Sequence, residues 1–143
     1  MFFSGQYEHK IDSQGRVSIP VRFRDAFKAG IILTQGFEQC IFAYTPGEWE
    51  SMASKVSQMP FTQAKSRRMM RLTFWQAFQL DMDRQGRVPL PASLREYSNA
   101  DEEVVIAGTG LFLEIWNKDK WAEQSLLLNE AAWQIAENTE VRE

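Results

Sequence analysis

Two short stretches of this chain hold the residue types that do chemistry. Asp12-Ser13-Gln14-Gly15-Arg16 and Asp83-Arg84-Gln85-Gly86-Arg87 each place a carboxylate four residues before a guanidinium, across a Gln-Gly turn. Three readings compete for them. Two carboxylates made equivalent by an internal duplication can share one proton, as in an acid-dyad hydrolase built on Asp12 and Asp83. The arginine that follows each Asp favours the ionised form, however, and the Asp-Thr/Ser-Gly turn of such dyads is absent. Alternatively, each Asp and Arg form an intraloop ion pair that shapes a solvated turn and stabilises little. The third reading places Arg16 and Arg87 at the apex of two-stranded ribbons, an element that fits a major groove. A guanidinium there pairs bidentately with guanine or phosphate.

Little else in the chain offers reactivity. There is one histidine, His9, and one cysteine, Cys40, so no cluster has zinc-ligand spacing, and no glycine pattern builds a phosphate cradle. Cys40, beside Ile41 and Phe42, reads as a buried apolar thiol. His9 reads as a polar strand residue, or as a phosphate contact beside the first tip. The basic run Lys65, Arg67, Arg68 and Arg71 reads as a solvated helix face. No catalytic residue, metal or cofactor is expected.

The 143 residues are 44% hydrophobic and 24% charged, a globular composition able to bury a sizeable core. No stretch approaches a membrane span, and Met1-Phe2-Phe3-Ser4-Gly5 has no leader pattern. With a single cysteine, this reads as a cytoplasmic protein. The net charge of −3 hides an asymmetry. Residues 1 to 100 hold 13 Lys and Arg against 9 Asp and Glu, whereas residues 101 to 143 hold 3 against 10. A basic face can therefore coexist with an acidic total, because local field governs a binding patch.

The elements that must position the two tips repeat as well. Lys10 to Pro20 lies over Asp81 to Pro91 at a constant offset of 71. Alternation predicts a hairpin of Tyr7 to Asp12 with Arg16 to Ile19, Gly15 supplying the turn's positive φ. Pro20 opens a short helix, Val21 to Phe27, with Phe23, Ala26 and Phe27 inward and Arg22, Arg24 and Asp25 facing water. Paired strands Ile31 to Thr34 and Cys40 to Tyr44 follow. A helix then starts at Thr45-Pro46-Gly47-Glu48 and buries Trp49, Met52, Ala53 and Val56. A second helix is capped by Thr62, with Ala64, Met69, Met70, Leu72 and Phe74 apolar. The second copy repeats the series: a hairpin of Ala77 to Asp83 with Arg87 to Leu90, a helix from Pro91 to Tyr97, strands Val104 to Ala107 and Leu111 to Trp116, and an N-cap at Asn117. Trp121 corresponds to Trp49 at an offset of 72. The last helical stretch is Trp121 to Ala136, with Leu126, Leu127, Trp133 and Ile135 apolar, and 138 to 143 fraying. Neither hairpin can bury its apolar face alone. The expectation is an α+β fold in which both copies fuse into one pseudo-twofold β-barrel with flanking helices.

The tips with their neighbours resemble a known family. His9 to Arg16, Pro20, Phe23-Arg24, Cys40-Ile41-Phe42, Glu48-Trp49, Asp83 to Arg87, Glu114-Ile115-Trp116 and Ile135 to Asn138 together are similar to MraZ, bacterial transcriptional regulators of two tandem SpoVT/AbrB-type modules. The resemblance spans nearly the whole chain. It implies a duplicated swapped-hairpin AbrB-like barrel, with module 1 at 5–48, connecting helices at 49–75, module 2 at 76–120 and a C-terminal helical segment at 121–143. It also implies a nucleoid-associated, ring-shaped homo-oligomer that binds double-stranded DNA at direct repeats upstream of the division and cell-wall gene cluster, its own gene included. The DNA contact would fall on Asp12, Arg16, Asp83 and Arg87, with Gln14, Gly15, Arg84, Gln85 and Gly86 completing the tips. Two departures stand out. Gln14 and Gln85 precede the glycines where the family's first tip often has Lys, which lowers the tip charge. Ser4 lengthens the N-terminus by one residue. A non-enzymatic assembly protein without DNA specificity remains the other reading. Met69, Met70, Phe74 and Trp75 are candidate subunit contacts or core residues.

Overall fold

The structure is a computed structural model and describes residues 1–139. It is an α+β fold of eight strands, five α-helices and one 3-10 helix among those residues. The first copy contains β1 (Gln6–Lys10), β2 (Arg16–Ser18), the 3-10 helix (Val21–Phe27), β3 (Ile31–Gln35), β4 (Ile41–Tyr44), α1 (Pro46–Ser57) and α2 (Ala64–Phe74). The second contains β5 (Phe78–Leu80), β6 (Arg87–Pro89), α3 (Ala92–Ser98), β7 (Glu103–Gly108), β8 (Leu113–Asn117), α4 (Lys118–Glu130) and α5 (Ala132–Asn138). The part of the expected frayed end at 140–143 lies outside the described residues.

The strands make a six-stranded antiparallel sheet, ordered β1-β7-β8-β4-β3-β5, and a separate ribbon of β2 with β6. This corrects the expected pairing within each copy. β1 pairs with β7 and β5 with β3, while β2 finds its partner in β6, so neither tip sits on a hairpin of its own copy. In hydrogen bonds the expected barrel is an open sheet with β1 and β5 at its edges, plus that ribbon. The physical reason is burial. Val17 and Val88 are fully buried, and pairing β2 with β6 sets them directly opposite one another. A three-residue strand folded onto its own copy could not enclose such a side chain.

The pseudo-twofold relation is written into the ladders. At an offset of 71, Val17 corresponds to Val88, its own partner. At an offset of 72, Phe42 corresponds to Glu114, which it faces between the central strands β4 and β8. An axis through these two pairs exchanges the copies. The registers also refine the sequence alignment. Tyr7 faces Ile106 and its equivalent Phe78 faces Leu33, so β3 and β7 are offset by 73. Two residues were gained before β7 and one was lost in the turn before β8.

One core unites the ribbon, the sheet and the short helices, with Val17, Val88, Phe23, Phe27, Leu94, Ile106 and Ile115 buried together. Phe3 joins it, stacked on Phe27 with ring centroids 5.4 Å apart. The outer face of the sheet carries a second cluster of Ile32, Cys40, Phe42, Tyr44 and Trp116, against which Trp49 and Trp121 pack from α1 and α4.

Local signals performed unevenly. Thr45 Oγ1 accepts from the Glu48 amide at 3.3 Å, and Asn117 Oδ1 from the Lys120 amide at 3.0 Å, so both expected N-caps form. Thr62 does not cap α2; Gln63 holds that position without a side-chain bond. Within α2 the buried residues are Ser66 and Thr73, whereas Leu72 and Phe74 are exposed. The C-terminal stretch is broken at Ala131 into α4 and α5, neither of which has a buried residue.

Candidate nucleic-acid interface

Each tip is a loop built around its own aspartate. In the first, Asp12 Oδ1 accepts the Gln14 and Arg16 amides, both at 2.9 Å, and Oδ2 accepts Arg16 Nε at 2.8 Å. In the second, Asp83 Oδ1 accepts the Gln85 amide at 2.9 Å and the Arg87 amide at 3.0 Å, and Oδ2 accepts Arg87 Nε at 2.8 Å. Backbone bonds close both loops the same way: the Gly15 amide donates to the Asp12 carbonyl and the Gly86 amide to the Asp83 carbonyl, each at 3.0 Å. Gly15 and Gly86 both take φ +76°, a conformation that a side chain disfavours.

Because β2 and β6 pair across the axis, the two loops stand side by side. Arg16 Nη1 lies 3.7 Å from Asp83 Oδ2, and Arg87 Nη1 lies 3.9 Å from Asp12 Oδ2. Four side chains thus form an alternating square of two cations and two anions. The intraloop ion pairs therefore exist, and they extend from one copy to the other. Each arginine spends its Nε on a carboxylate, which fixes the plane of the guanidinium; its remaining donors are on the outer nitrogens.

The electrostatics oppose a shared-proton dyad. Both Asp12 and Asp83 are held below the ordinary carboxylate range, chiefly by the backbone amide of the following arginine and with help from its side chain. A dyad would push one of the two upward instead. His9, half-buried in β1, is lowered by burial and by the nearby Arg24. Cys40 is buried, donates to the Phe37 carbonyl at 3.2 Å, and has its thiol pushed up by desolvation. Lys65, Arg67, Arg68 and Arg71 are exposed along α2, well apart in sequence from either tip.

Two further arginines, Arg24 and Arg95, hold the tips. Arg24, expected to face water, is half-buried: its Nε donates to the Ile19 carbonyl at 2.8 Å, and its side chain lies where a Cβ on Gly86 would project. Its equivalent, Arg95, donates to the Leu90 carbonyl at 3.1 Å, and its guanidinium carbon lies 3.2 Å from where a Cβ on Gly15 would sit. Each tip glycine is therefore covered by an arginine of the other copy. The backbone is exchanged too, since the Ile19 amide donates to the Gly86 carbonyl at 2.8 Å and the Leu90 amide to the Gly15 carbonyl at 2.9 Å. The offset of 71 that relates the tips also relates Arg24 to Arg95, a signal present in the sequence. Ser13, Gln14, Arg84 and Gln85 are exposed at the apex, while Gly15 and Gly86 are covered.

Fold and site together define a duplicated α+β protein that presents twin Asp-Arg loops from a ribbon shared by its two halves. The family model for the MraZ protein matches twice, over residues 2–72 and 73–142, in line with that duplication. Similar proteins include one from Syntrophomonas wolfei, 40% identical over 136 residues that cover 95% of each chain. Another, from Dehalococcoides mccartyi, is 40% identical over 141 residues, 98% of this chain and 99% of the relative. A third, from Roseiflexus castenholzii, is 41% identical over 119 residues, 83% of each. All three bear the name transcriptional regulator MraZ. The chain belongs to the MraZ family.

Proposed function

We propose that this protein is a non-enzymatic, DNA-binding transcriptional regulator whose contact surface is the paired tips. The observation that carries this reading is the neighbouring presentation of Arg16 and Arg87, each oriented by a carboxylate at 2.8 Å, at the two opposite ends of the short β2–β6 ribbon. Pre-oriented guanidinium groups lose less freedom on engaging phosphate or guanine than mobile ones do. Asp12 and Asp83 orient the arginines, Gly15 and Gly86 make the turns, and Gln14, Gln85 and Arg84 lie exposed on the surface DNA would meet. The four-residue square carries no net charge, so Arg24, Arg95 and Arg84 supply the field that attracts the polyanion. The regulator's name borne by the relatives supports the same reading.

The finer expectations extend this proposal. We read 5–48 and 76–120 as SpoVT/AbrB-type modules of the swapped-hairpin kind, supported by the exchange of β2 and β6, with 49–75 connecting them and 121–143 following. The target would be direct repeats upstream of the division and cell-wall cluster, including the protein's own gene, bound in the cytoplasm at the nucleoid. No helix among the described residues is long and apolar enough to cross a membrane. One pair of tips engages few phosphates, so a homo-oligomeric ring that reads successive repeats would raise affinity through effective concentration. Fluorescence anisotropy with DNA from upstream of the protein's gene tests the reading. The double variant Arg16→Ala, Arg87→Ala should abolish repeat-specific binding, while the wild type shows a slope of log K on log salt of about −0.9 per phosphate contacted. Unchanged binding by the double variant refutes the tip assignment; a protein that binds no DNA favours the assembly reading.

A further inference from the structure

A reading head with twofold symmetry meets DNA equally well in either direction, so whatever separates its two ends decides how it lies on the duplex. The tips themselves are nearly alike. Asp, Gln, Gly and Arg recur at an offset of 71, and the one difference is Ser13 against Arg84, both exposed at the apex. A larger difference comes from what each tip rests on. Arg95 covers Gly15, the Ile11 amide donates to the Glu102 carbonyl at 2.8 Å, and Lys10 pairs with Glu103, so the first tip lies against residues 92–103. Arg24 covers Gly86, and a Cβ on Gly30 would lie 3.5 Å from the Leu80 carbonyl oxygen and 3.9 Å from Asp81 Oδ1. The second tip therefore lies against residues 21–30.

The two supports carry opposite charge. Residues 10–16 and 92–103 hold three Lys and Arg against five Asp and Glu; their equivalents, 81–87 and 21–30, hold five against three. The first end of the ribbon is thus −2 and the second +2. Lys118, 3.7 Å from Glu8 and 3.5 Å from Glu103, brings one cation and one further acid to the first end and leaves its charge unchanged. Strand exchange decides which end is which. Resting on its own copy's helix, the first tip would be the basic one, because 10–16 with 21–30 holds five cations against two acids. Crossing over hands the basic segment to the second tip. Glu96, Asp101 and Glu102 are exposed at the first end, as are Arg22 and Lys28 at the second, so both fields reach solvent. Against a duplex with one negative charge per about 1.7 Å, the second end is drawn in and the first held off over a range of about 8–10 Å.

We infer that the two tips bind DNA unequally: the second, with Arg84 at its apex, anchors the phosphates, and the charge difference fixes one orientation of the protomer on each repeat. The inference rests on the DNA-binding reading above and gives it a direction. Direct repeats are polar, and a pseudo-twofold head reads them the same way round each time only if its ends differ. Arg84 lies outside the neutral square and has no counterpart cation at position 13, so it is the residue of the tips that tells one end from the other.

Directed cleavage of a duplex with a single repeat from upstream of the protein's gene tests this in the full chain. An iron chelate that releases hydroxyl radicals is attached at Val21→Cys or at Ala92→Cys, exposed, uncharged and equivalent positions at the start of the two supports. Wild type treated the same way is the blank, since Cys40 is buried. The two variants should cut on opposite sides of the repeat, and ethylation of phosphates should interfere with binding mainly on the side cut from residue 21. Arg84→Ser should lose part of that interference, lower the steepness of log K against log salt by about 0.9, and narrow the difference between the two sides. Where circular dichroism shows that a cysteine variant has not folded, Asp25→Cys and Glu96→Cys serve in place of the pair; both positions are exposed and each loses one acid. Identical two-sided cleavage from both variants, interference shared evenly or concentrated on the side cut from residue 92, or a wild-type slope in Arg84→Ser overturns the inference. The tip assignment then still stands or falls on the Arg16→Ala, Arg87→Ala variant. A wild type that binds no DNA overturns both.

Discussion

The two tip glycines are equivalent in sequence and in φ, yet the structure predicts unequal costs for replacing them. Gly15→Ala and Gly86→Ala each force a methyl into the left-handed region, at about 1 kcal/mol apiece. At Gly86 the new Cβ would also collide with the Nε, Cδ and Cζ atoms of Arg24. Relief requires moving the middle of that side chain and breaking its 2.8 Å bond to the Ile19 carbonyl, about 1 kcal/mol more for a partly exposed charged bond. At Gly15 the nearest Arg95 atoms are 3.2 Å away, and a shift of a few tenths of an ångström suffices. Gly86→Ala should therefore lose about 2 kcal/mol and Gly15→Ala about 1 kcal/mol. For a chain of this size the difference is about 2–4 °C in melting temperature. Urea unfolding at one fixed protomer concentration measures both. A cycle with Arg24→Ala sharpens the test. It should couple with Gly86→Ala by about 1 kcal/mol and add without coupling to Gly15→Ala. Equal losses at the two glycines, or strict additivity with Gly86→Ala, refute the crosswise contact.

The remaining predictions concern titration and reactivity. Asp12 and Asp83 have folded-state values below their ordinary 3.8, so their contribution is present above that pH and is lost as pH falls toward the lowered values. Acid unfolding should consequently be less steep in the Asp12→Asn, Asp83→Asn variant than in the wild type, as followed by circular dichroism. Glu114 behaves oppositely: burial raises it above 4.5, so the folded state loses stability as pH rises through that region. Glu114→Gln keeps an acceptor for Trp116 Nε1, now at 3.0 Å, and should raise the neutral-pH melting temperature while flattening its pH profile. Cys40 should resist thiol reagents in the native state at pH 8, because burial disfavours its thiolate, and labelling should proceed at the rate of unfolding. Rapid labelling without unfolding would show that Cys40 is not enclosed.

The amino-acid sequence by itself determined the two tips, their Asp-x-x-x-Arg frame, the glycines at their turns, and the caps at Thr45 and Asn117. Each of these depends on a residue and its near neighbours: an Asp reaches amides two and four positions on, and a Gly supplies a positive φ, whatever the rest of the chain does. The tertiary structure alone decided which strand pairs with which. Alternation marks the buried face of β2 but is equally compatible with a partner in its own copy or in the other, and burial of Val17 against Val88 settled it. The same limit holds for α2, where the expected Thr62 cap does not form and where sequence leaves its apolar residues open between core and subunit contact, while the structure exposes Leu72 and Phe74. Helical period gives the faces of α2, whereas its position on α1 gives which face is covered. Arg24 and Arg95 were within reach through the repeat, but not their place over the opposite tips, which exists only because the copies exchange strands. That exchange turns two separate Asp-Arg loops into one charged square, and contacts between residues as far apart in sequence as Arg16 and Asp83, or Asp12 and Arg87, are decided in space, where the axis brings them together.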